Sequence, residues 1–313
     1  MPEMQKMNTV YVDPAFSDDE RRDHLYNGQL IILSPTPSSK ALCDFAYELL
    51  EDAFAPHDPE LAQYEMSAEA YAQVLSDVKP TFIHHEESKR LIQGIFEETG
   101  VDLGKSYFDV PRLRTSTSDD FLTSGIAYAF HPHRDTWYSA PMSQINWWLP
   151  VREITPENTL AFHPRYWDTP IDNSSDQYNY YEWNKKSRKE AAKHVKKDTR
   201  TQPEAQEEIE LDPQIRPVCP PGGIVLFSGA QLHSSVPNTS GKTRLSIDFR
   251  TVHYDDVASH RGAPNIDSHC TGTTLRDYLR GTDLSRLPDA LVAEYDESPP
   301  SSDAELIYEP EDA

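Results

Sequence analysis

The chain has 313 residues, enough for one large domain or two small ones, and its 37% hydrophobic and 10% aromatic content supplies a folded core. A formal charge of −23 argues against nucleic acid and against an anionic membrane surface, since both demand a basic face. An acidic, solvated shell accounts for it.

In chain order, residues 17–105 read mostly as helix. Leu42, Phe45, Ala46, Leu49, Leu50 and Ala53 recur at the spacing of one buried helical face. Leu91, Ile92, Ile95 and Phe96 do the same, with Gly100 where a helix would stop. Before them, residues 28–33 read as a short strand closed by Ser34-Pro35. From Tyr107 the character changes. Residues 107–115, 125–130, 143–151, 158–162, 223–227 and 244–252 are short apolar or alternating runs separated by turn residues. Such spacing predicts a sandwich or barrel. The expected fold is α+β with a mainly β core: a double-stranded β-helix (jelly-roll, cupin-like), with the N-terminal helices packed outside.

Residues 1–252 are expected to form one domain, with 17–105 its helical part and 106–252 its barrel. Within the barrel, 164–217 is a polar insert containing Tyr178, Tyr180, Tyr181 and Trp183, followed by the basic stretch Lys185 to Arg200. It is too long for a simple connection and reads equally as an active-site lid or as a surface helix on one edge. Residues 253–313 form an extension with one expected helix near Thr274–Arg280 and an acidic, Pro/Ser-rich tail from Asp296 that is expected to be mobile. Cys43, Cys219 and Cys270 are widely spaced, without a CxxC pair, and read as free thiols. Residues 1–16 lack an apolar leader and no run is long enough to span a bilayer, so the sequence implies a soluble, cytoplasmic protein.

His133-Arg134-Asp135 places two potential ligands on the same side of an extended chain. The pattern alone is unspecific: His253-Tyr254-Asp255 repeats it, and His84-His85-Glu86-Glu87 holds two His-x-Glu pairs. Context separates them. His133 follows the apolar run 125–130, and His233 lies just beyond the buried-strand pattern Gly223–Phe227. After the turn Pro237-Asn238-Thr239-Ser240-Gly241, Arg244 opens the last strand. His133, Asp135 and His233 can occupy one face of an Fe(II) ion and leave the opposite positions open. In the last strand Leu245, Ile247 and Phe249 face one way, and Arg244, Ser246, Asp248 and Arg250 the other. The planar fork of Arg244 can donate two parallel hydrogen bonds to the far carboxylate of a dicarboxylic co-substrate, and Ser246 a third. Asp248 and Arg250 either pair with each other or leave Arg250 for substrate.

These motifs, with Asn146-Trp147-Trp148-Leu149-Pro150 and Asn158-Thr159-Leu160, resemble the Fe(II)/2-oxoglutarate dioxygenases over residues 105–252. More narrowly, they resemble the phytanoyl-CoA dioxygenase-like family. Thr159 stands where that family often has glycine, and its Pro-Gly-Ser-His motif is missing. Those departures point away from fatty acyl-CoA substrates and toward the branch found beside natural-product pathways such as streptomycin biosynthesis. The resemblance implies Fe(II), with 2-oxoglutarate and O2 as co-substrates, and a small polar organic substrate that is hydroxylated, dealkylated or desaturated while succinate and CO2 are released. An aspartate at position 135, where related halogenases carry a small residue, disfavours halogenation. Gln144 is a further candidate for co-substrate binding. Trp137, Tyr138, Trp147 and His163 are candidates for contact with substrate or with the metal ligands, against ordinary core roles.

Two other readings stay open. A cupin-like metalloenzyme without 2-oxoglutarate would leave Arg244-x-Ser246 without a purpose. A non-catalytic, small-molecule-binding barrel would keep the ligands without turnover. A nucleophilic hydrolase lacks support, because there is no Gly-x-Ser-x-Gly elbow and no Cys/His pair.

Overall fold

A computed structural model describes residues 9–123, 126–127, 130–184 and 202–296. Its strands are β1 (Val10–Val12), β2 (Leu30–Leu33), β3 (Ser106–Phe108), β4 (Arg112–Ser116) and β5 (Ile145–Pro150), then β6 (Leu160–Phe162), β7 (Ile224–Ser228), β8 (His233–Ser235), β9 (Arg244–His253) and β10 (Leu279–Arg280). Four longer helices, α1 (Asp18–Tyr26), α2 (Pro37–Phe54), α3 (Ala68–His84) and α4 (Glu86–Thr99), precede β3.

Local chemistry sets the helix ends. Ser17 and Glu20 form a capping box at α1, and Thr36 and Ser39 one at α2, where Pro37 occupies the first turn. Gly100, with φ of 72°, closes α4 in the left-handed conformation that a side chain would resist. Helix α3, for which no face was read from the sequence, carries Pro80 in its interior.

Eight strands form one large sheet in the order β1-β2-β7-β5-β9-β3-β10, with β4 also paired to β9. β6 and β8 form a separate two-stranded sheet. Among the pairings of these strands β1–β2 alone is parallel. The period-two alternation gives the large sheet two different faces. Leu113, Trp147, Leu149, Leu226, Leu245, Ile247 and Phe249 join one core cluster with Leu42, Leu50, Phe82, Ile92 and Phe96 of α2–α4. Phe96 lies edge-on to Trp147 and Phe249, at ring separations of 5.4 and 5.9 Å. On the other face, Trp148, Val225 and Phe227 pack against Leu160 and Phe162 of the small sheet. The molecule is therefore a mixed α/β fold: helices, large sheet, then small sheet, with polar residues of β4 and β9 turned toward the last.

Several boundaries differ from expectation. The run 107–115 is two strands, broken at Asp109–Pro111, where the Asp109 carboxylate accepts the Arg250 backbone N–H at 2.7 Å in place of a ladder bond. Of the run 125–130 only Ile126, Ala127 and Phe130 are described, and none lies in a strand. Thr274–Asp277 is a 3₁₀ turn, and the expected helix gives way to β10, which pairs with β3 while Tyr278 and Leu275 pack on Tyr107 and Val252. Lys185 to Arg200 and the tail beyond Asp296 lie outside the described residues. Among the described residues no helix is long and apolar enough to cross a membrane.

Candidate active site

His133 and His233 form an antiparallel bridge, exchanging backbone N–H···O bonds of 2.9 and 3.0 Å. Their rings consequently lie side by side, with centroids 4.4 Å apart. Arg134 is extended, and Asp135 then opens a 3₁₀ turn that brings its carboxylate back to the pair. One ligand atom from each of His133, Asp135 and His233 lies within 4.8 Å of the others. Among the described residues no other set of His, Cys, Asp or Glu makes such a cluster.

The surroundings fix the state of each ligand. His133 Nδ1 faces the His131 carbonyl at 2.8 Å, and His233 Nδ1 faces the Gln231 carbonyl at 3.0 Å. A carbonyl only accepts, so Nδ1 carries the proton in both rings and Nε2 is left with its lone pair for a metal. Burial pushes both imidazoles down, His233 to about 4, so both are neutral at neutral pH. Burial would by itself raise the Asp135 carboxyl, but the nearby Arg250 charge helps to outweigh it and hold the group well below the usual carboxylate range. Its Oδ2 accepts from Gln144 Nε2 at 3.0 Å and from Asn146 Nδ2 at 2.5 Å. Tyr278 donates to Gln144 Oε1 at 2.8 Å, which turns the Gln144 amide nitrogen toward Asp135 and Asn146 Oδ1. Two neutral nitrogens and one oriented carboxylate on one side of a point suit a facially bound Fe(II).

Arg244 and Ser246 occupy the same face of β9, both buried. Arg244 donates one hydrogen bond, to the Asn158 carbonyl at 3.2 Å, and its guanidinium lies 5.7 Å from the Trp148 ring centre. Among the described residues its Nε and the Ser246 hydroxyl have no partner. Burial and the neighbouring Arg114 charge pull the guanidinium down to about 10, so it stays cationic at neutral pH. No carboxylate among the described residues pairs with it. Unpartnered buried donors are uncommon enough to call for a ligand, and two of them beside a cation match a carboxylate.

The family model described as phytanoyl-CoA dioxygenase (PhyH) matches residues 27–246, most of the chain. The chain belongs to the phytanoyl-CoA dioxygenase family. No curated protein matches the sequence. Among solved structures, it is similar to EvdO2 from Micromonospora carbonacea var. aurantiaca complexed with 2-oxoglutarate, at 14% identity over 56% of this chain, with a TM-score of 0.34. This chain covers 62% of EvdO2's length. It is also similar to the epimerase SnoN in complex with Fe3+, alpha ketoglutarate and nogalamycin RO, at 11% identity over 75% of this chain and 83% of that one, with a TM-score of 0.39. A third, the apoform of EctD from S. alaskensis, matches at 14% identity over 81% and 83%, with a TM-score of 0.37. These likenesses are too distant to assign an activity.

In this member of the phytanoyl-CoA dioxygenase family, the triad and Arg244 line one cavity of about 730 Å³. A five-carbon dicarboxylate fills a small part of such a space and leaves room for a second small molecule. Tyr138 and Arg250 also line it, and the insert contributes Tyr178, Tyr180, Trp183, Asn184 and Gln202. Trp137 and Trp147 do not. Trp137 packs with Ile171 and Leu232 and donates to Asp267 at 2.8 Å. Trp147 has the parity that turns it to the helices, where it stacks on Phe249 and donates to Thr251 at 2.9 Å. His163 is held off the cavity between the Leu211 carbonyl and the Ser234 hydroxyl, each at 3.0 Å. Gln144 lines the cavity, but its amide serves Asp135 and Asn146. Asp248 and Arg250 are 3.9 Å apart, and each has a closer partner: Arg114 at 2.5 Å for Asp248, and Asp109 at 3.1 Å for Arg250.

Sequence reasoning missed Asn146, Tyr278, Lys79 and the β4 arginines Arg112 and Arg114. Arg112-Leu113-Arg114-Thr115 repeats the alternation that singled out β9, and that was the available signal. Tyr278 had none, because its contact with Gln144 spans 134 positions of the chain.

Proposed function

We propose that this protein is an Fe(II)- and 2-oxoglutarate-dependent oxygenase that hydroxylates, or dealkylates or desaturates through C–H abstraction, a small polar organic molecule. The observation that carries this reading is the coexistence, in one cavity, of a buried His-Asp-His cluster and of Arg244, with unpartnered donors on Arg244 and on its β9 neighbour Ser246. In this reading His133, Asp135 and His233 hold the iron, and Arg244 and Ser246 bind the far carboxylate of 2-oxoglutarate. When bound, the iron and co-substrate supply, with O2, the oxidising chemistry that releases succinate and CO2.

The chain's own residues do the positioning. Gln144 and Asn146 hold Asp135 in one rotamer, so the carboxylate enters the site already oriented. Nδ1–H bonds to carbonyls fix both imidazoles in the ligating tautomer. Arg244 recognises a dicarboxylate by charge and by fork geometry, and Trp148 beside it excludes water from the pair. Tyr138 and Arg250 are in place to meet the second molecule.

The fold supports this reading as a jelly-roll: the large and small sheets face each other, and the histidines bridge at the small sheet. We take residues 1–252 as the dioxygenase domain and 253–313 as an extension, of which the described residues 253–296 pack on it, while described residues of the insert 164–217 form part of the cavity wall. A cupin-like enzyme without 2-oxoglutarate leaves the Arg244 and Ser246 donors unexplained, and so does a binding protein for neutral ligands.

Anaerobic titration of the Fe(II)-loaded protein with 2-oxoglutarate tests the assignment through the visible metal-to-ligand charge-transfer band. The band is expected in the wild type, absent in His133→Ala, and shifted to much higher co-substrate concentration in Arg244→Ala. No band in the iron-loaded wild type would remove 2-oxoglutarate from the reading.

A further inference from the structure

The wall of the cavity formed by β4, β9 and α3 is cationic, although the chain as a whole carries −23. Lys79, Arg112, Arg114, Arg244 and Arg250 all line it. Among the described residues, two carboxylates serve these five cations. Asp109 accepts from Arg112 at 2.5 Å and from Arg250 at 3.1 Å. Asp248 accepts from Arg114 at 2.5 Å and lies 3.9 Å from Arg250. In the reading above, an iron dication, Asp135, a dicarboxylate and Arg244 cancel in charge. Three arginines and a partly protonated Lys79 are left over against two carboxylates.

The surplus is concentrated where α3 meets β4. Lys79 Nζ donates to the Ile126 carbonyl at 2.5 Å and lies 3.3 Å from the Thr115 hydroxyl; both partners are neutral. Among the described residues it has no carboxylate partner. Arg114 spends Nε on Asp248, with a long second contact of 3.4 Å, and its side chain is 43% exposed toward the cavity. Burial, then the Arg114 charge, pulls Lys79 down to about 7, and Asp248 only partly offsets this. A pair of cations that raise one another's free energy beside an open cavity is an anion site. Ile83, Trp148 and Tyr138 add apolar and aromatic surface to the same wall.

We propose that the substrate is an organic anion, a carboxylate or phosphate ester with an apolar body, whose charged group binds between Lys79 and Arg114. This rests on the oxygenase reading for the place of 2-oxoglutarate. The anion site is separate from the Arg244–Ser246 pair, and Lys79 and Arg114 are binding residues that take no part in metal ligation.

The test uses the full chain loaded with Ni(II) and saturating 2-oxoglutarate, which is redox-silent, and matched probes: phenylacetate against phenylacetamide, and phenyl phosphate against phenol. Calorimetry is expected to show at least tenfold tighter binding of one acid than of its neutral partner, and which acid wins distinguishes carboxylate from phosphate. Lys79→Met and Arg114→Gln are each expected to remove that preference, with 2-oxoglutarate affinity within threefold of wild type. Thermal melting of each variant verifies folding, and the Lys79 variant stands alone if loss of the Asp248 partner unfolds the other. Equal binding of acids and neutral partners in the wild type overturns the proposal. So does an Arg114→Gln protein whose 2-oxoglutarate affinity falls as its acid affinity does, since Arg114 would then belong to the co-substrate. A wild type that fails to bind 2-oxoglutarate at all refutes the oxygenase reading instead.

Discussion

Replacing Asn146 by alanine deletes the shorter of the two hydrogen bonds to Asp135 Oδ2, 2.5 Å against 3.0 Å from Gln144, without touching a ligand. A hydrogen bond to a charged group contributes about 1.5–3 kcal/mol. Mutation of groups that orient metal ligands weakens metal binding by about 10–100-fold, which is the same energy by an independent route. The expected result is therefore an Fe(II) dissociation constant raised by about 10–100-fold, read by anaerobic calorimetry. Tyr278→Phe acts one bond further out, on the Gln144 amide, and is expected to cost less than Asn146→Ala. If Asn146→Ala binds iron within threefold of wild type while melting normally, Asp135 is held by packing alone and the argument for an oriented carboxylate fails.

Ser246→Ala removes a hydroxyl that has no other partner, and is expected to weaken 2-oxoglutarate binding about tenfold without destabilising the apoprotein, as one charge-assisted hydrogen bond predicts. Trp147→Ala opens the core against Phe96 and Phe249, and should cost about 3–5 kcal/mol in denaturant unfolding, with metal affinity of the folded protein retained. Lys79, buried and facing Arg114 and Asp248, is pushed down to about 7 in the fold and titrates at the ordinary lysine value of 10.5 in the unfolded chain, so the unfolded state binds more protons between these values. Apoprotein stability should consequently rise as pH increases through that window, and Lys79→Met should flatten the rise; solvent in the cavity moderates its size because the side chain is partly exposed. A melting temperature that is independent of pH between 7 and 10 in the wild type contradicts the depressed lysine.

The last strand was the most legible part of the sequence, because strict alternation from Arg244 to Phe249 encodes both its core face and its cavity face. The metal triad was legible as a set, but only through context, since His-x-Asp recurs at His253. That decoy ends β9 with Asp255 turned outward to Lys105 at 2.7 Å. Trp147 and Trp148 could not be told apart in one apolar run, where parity depends on the register with β9: Trp147 lies opposite Phe249, and Trp148 opposite Asp248. The Thr274–Arg280 segment looked helical because pairing with β3 is a tertiary event that local sequence does not announce. Lys79 was invisible for a similar reason, since nothing in α3 says which side chain will overhang the edge of β4.

The family match ends at residue 246, three residues into β9, yet the architecture of the site does not end there. Arg250, β10 and Tyr278 all lie further on, and Tyr278 reaches back to Gln144 and so to Asp135. A protein trimmed to the shared boundary, or a chimera joined at it, would keep every ligand and lose the strut behind one of them. Engineering of this protein should therefore treat the region beyond residue 246 as part of the site, to be exchanged together with the strands it braces.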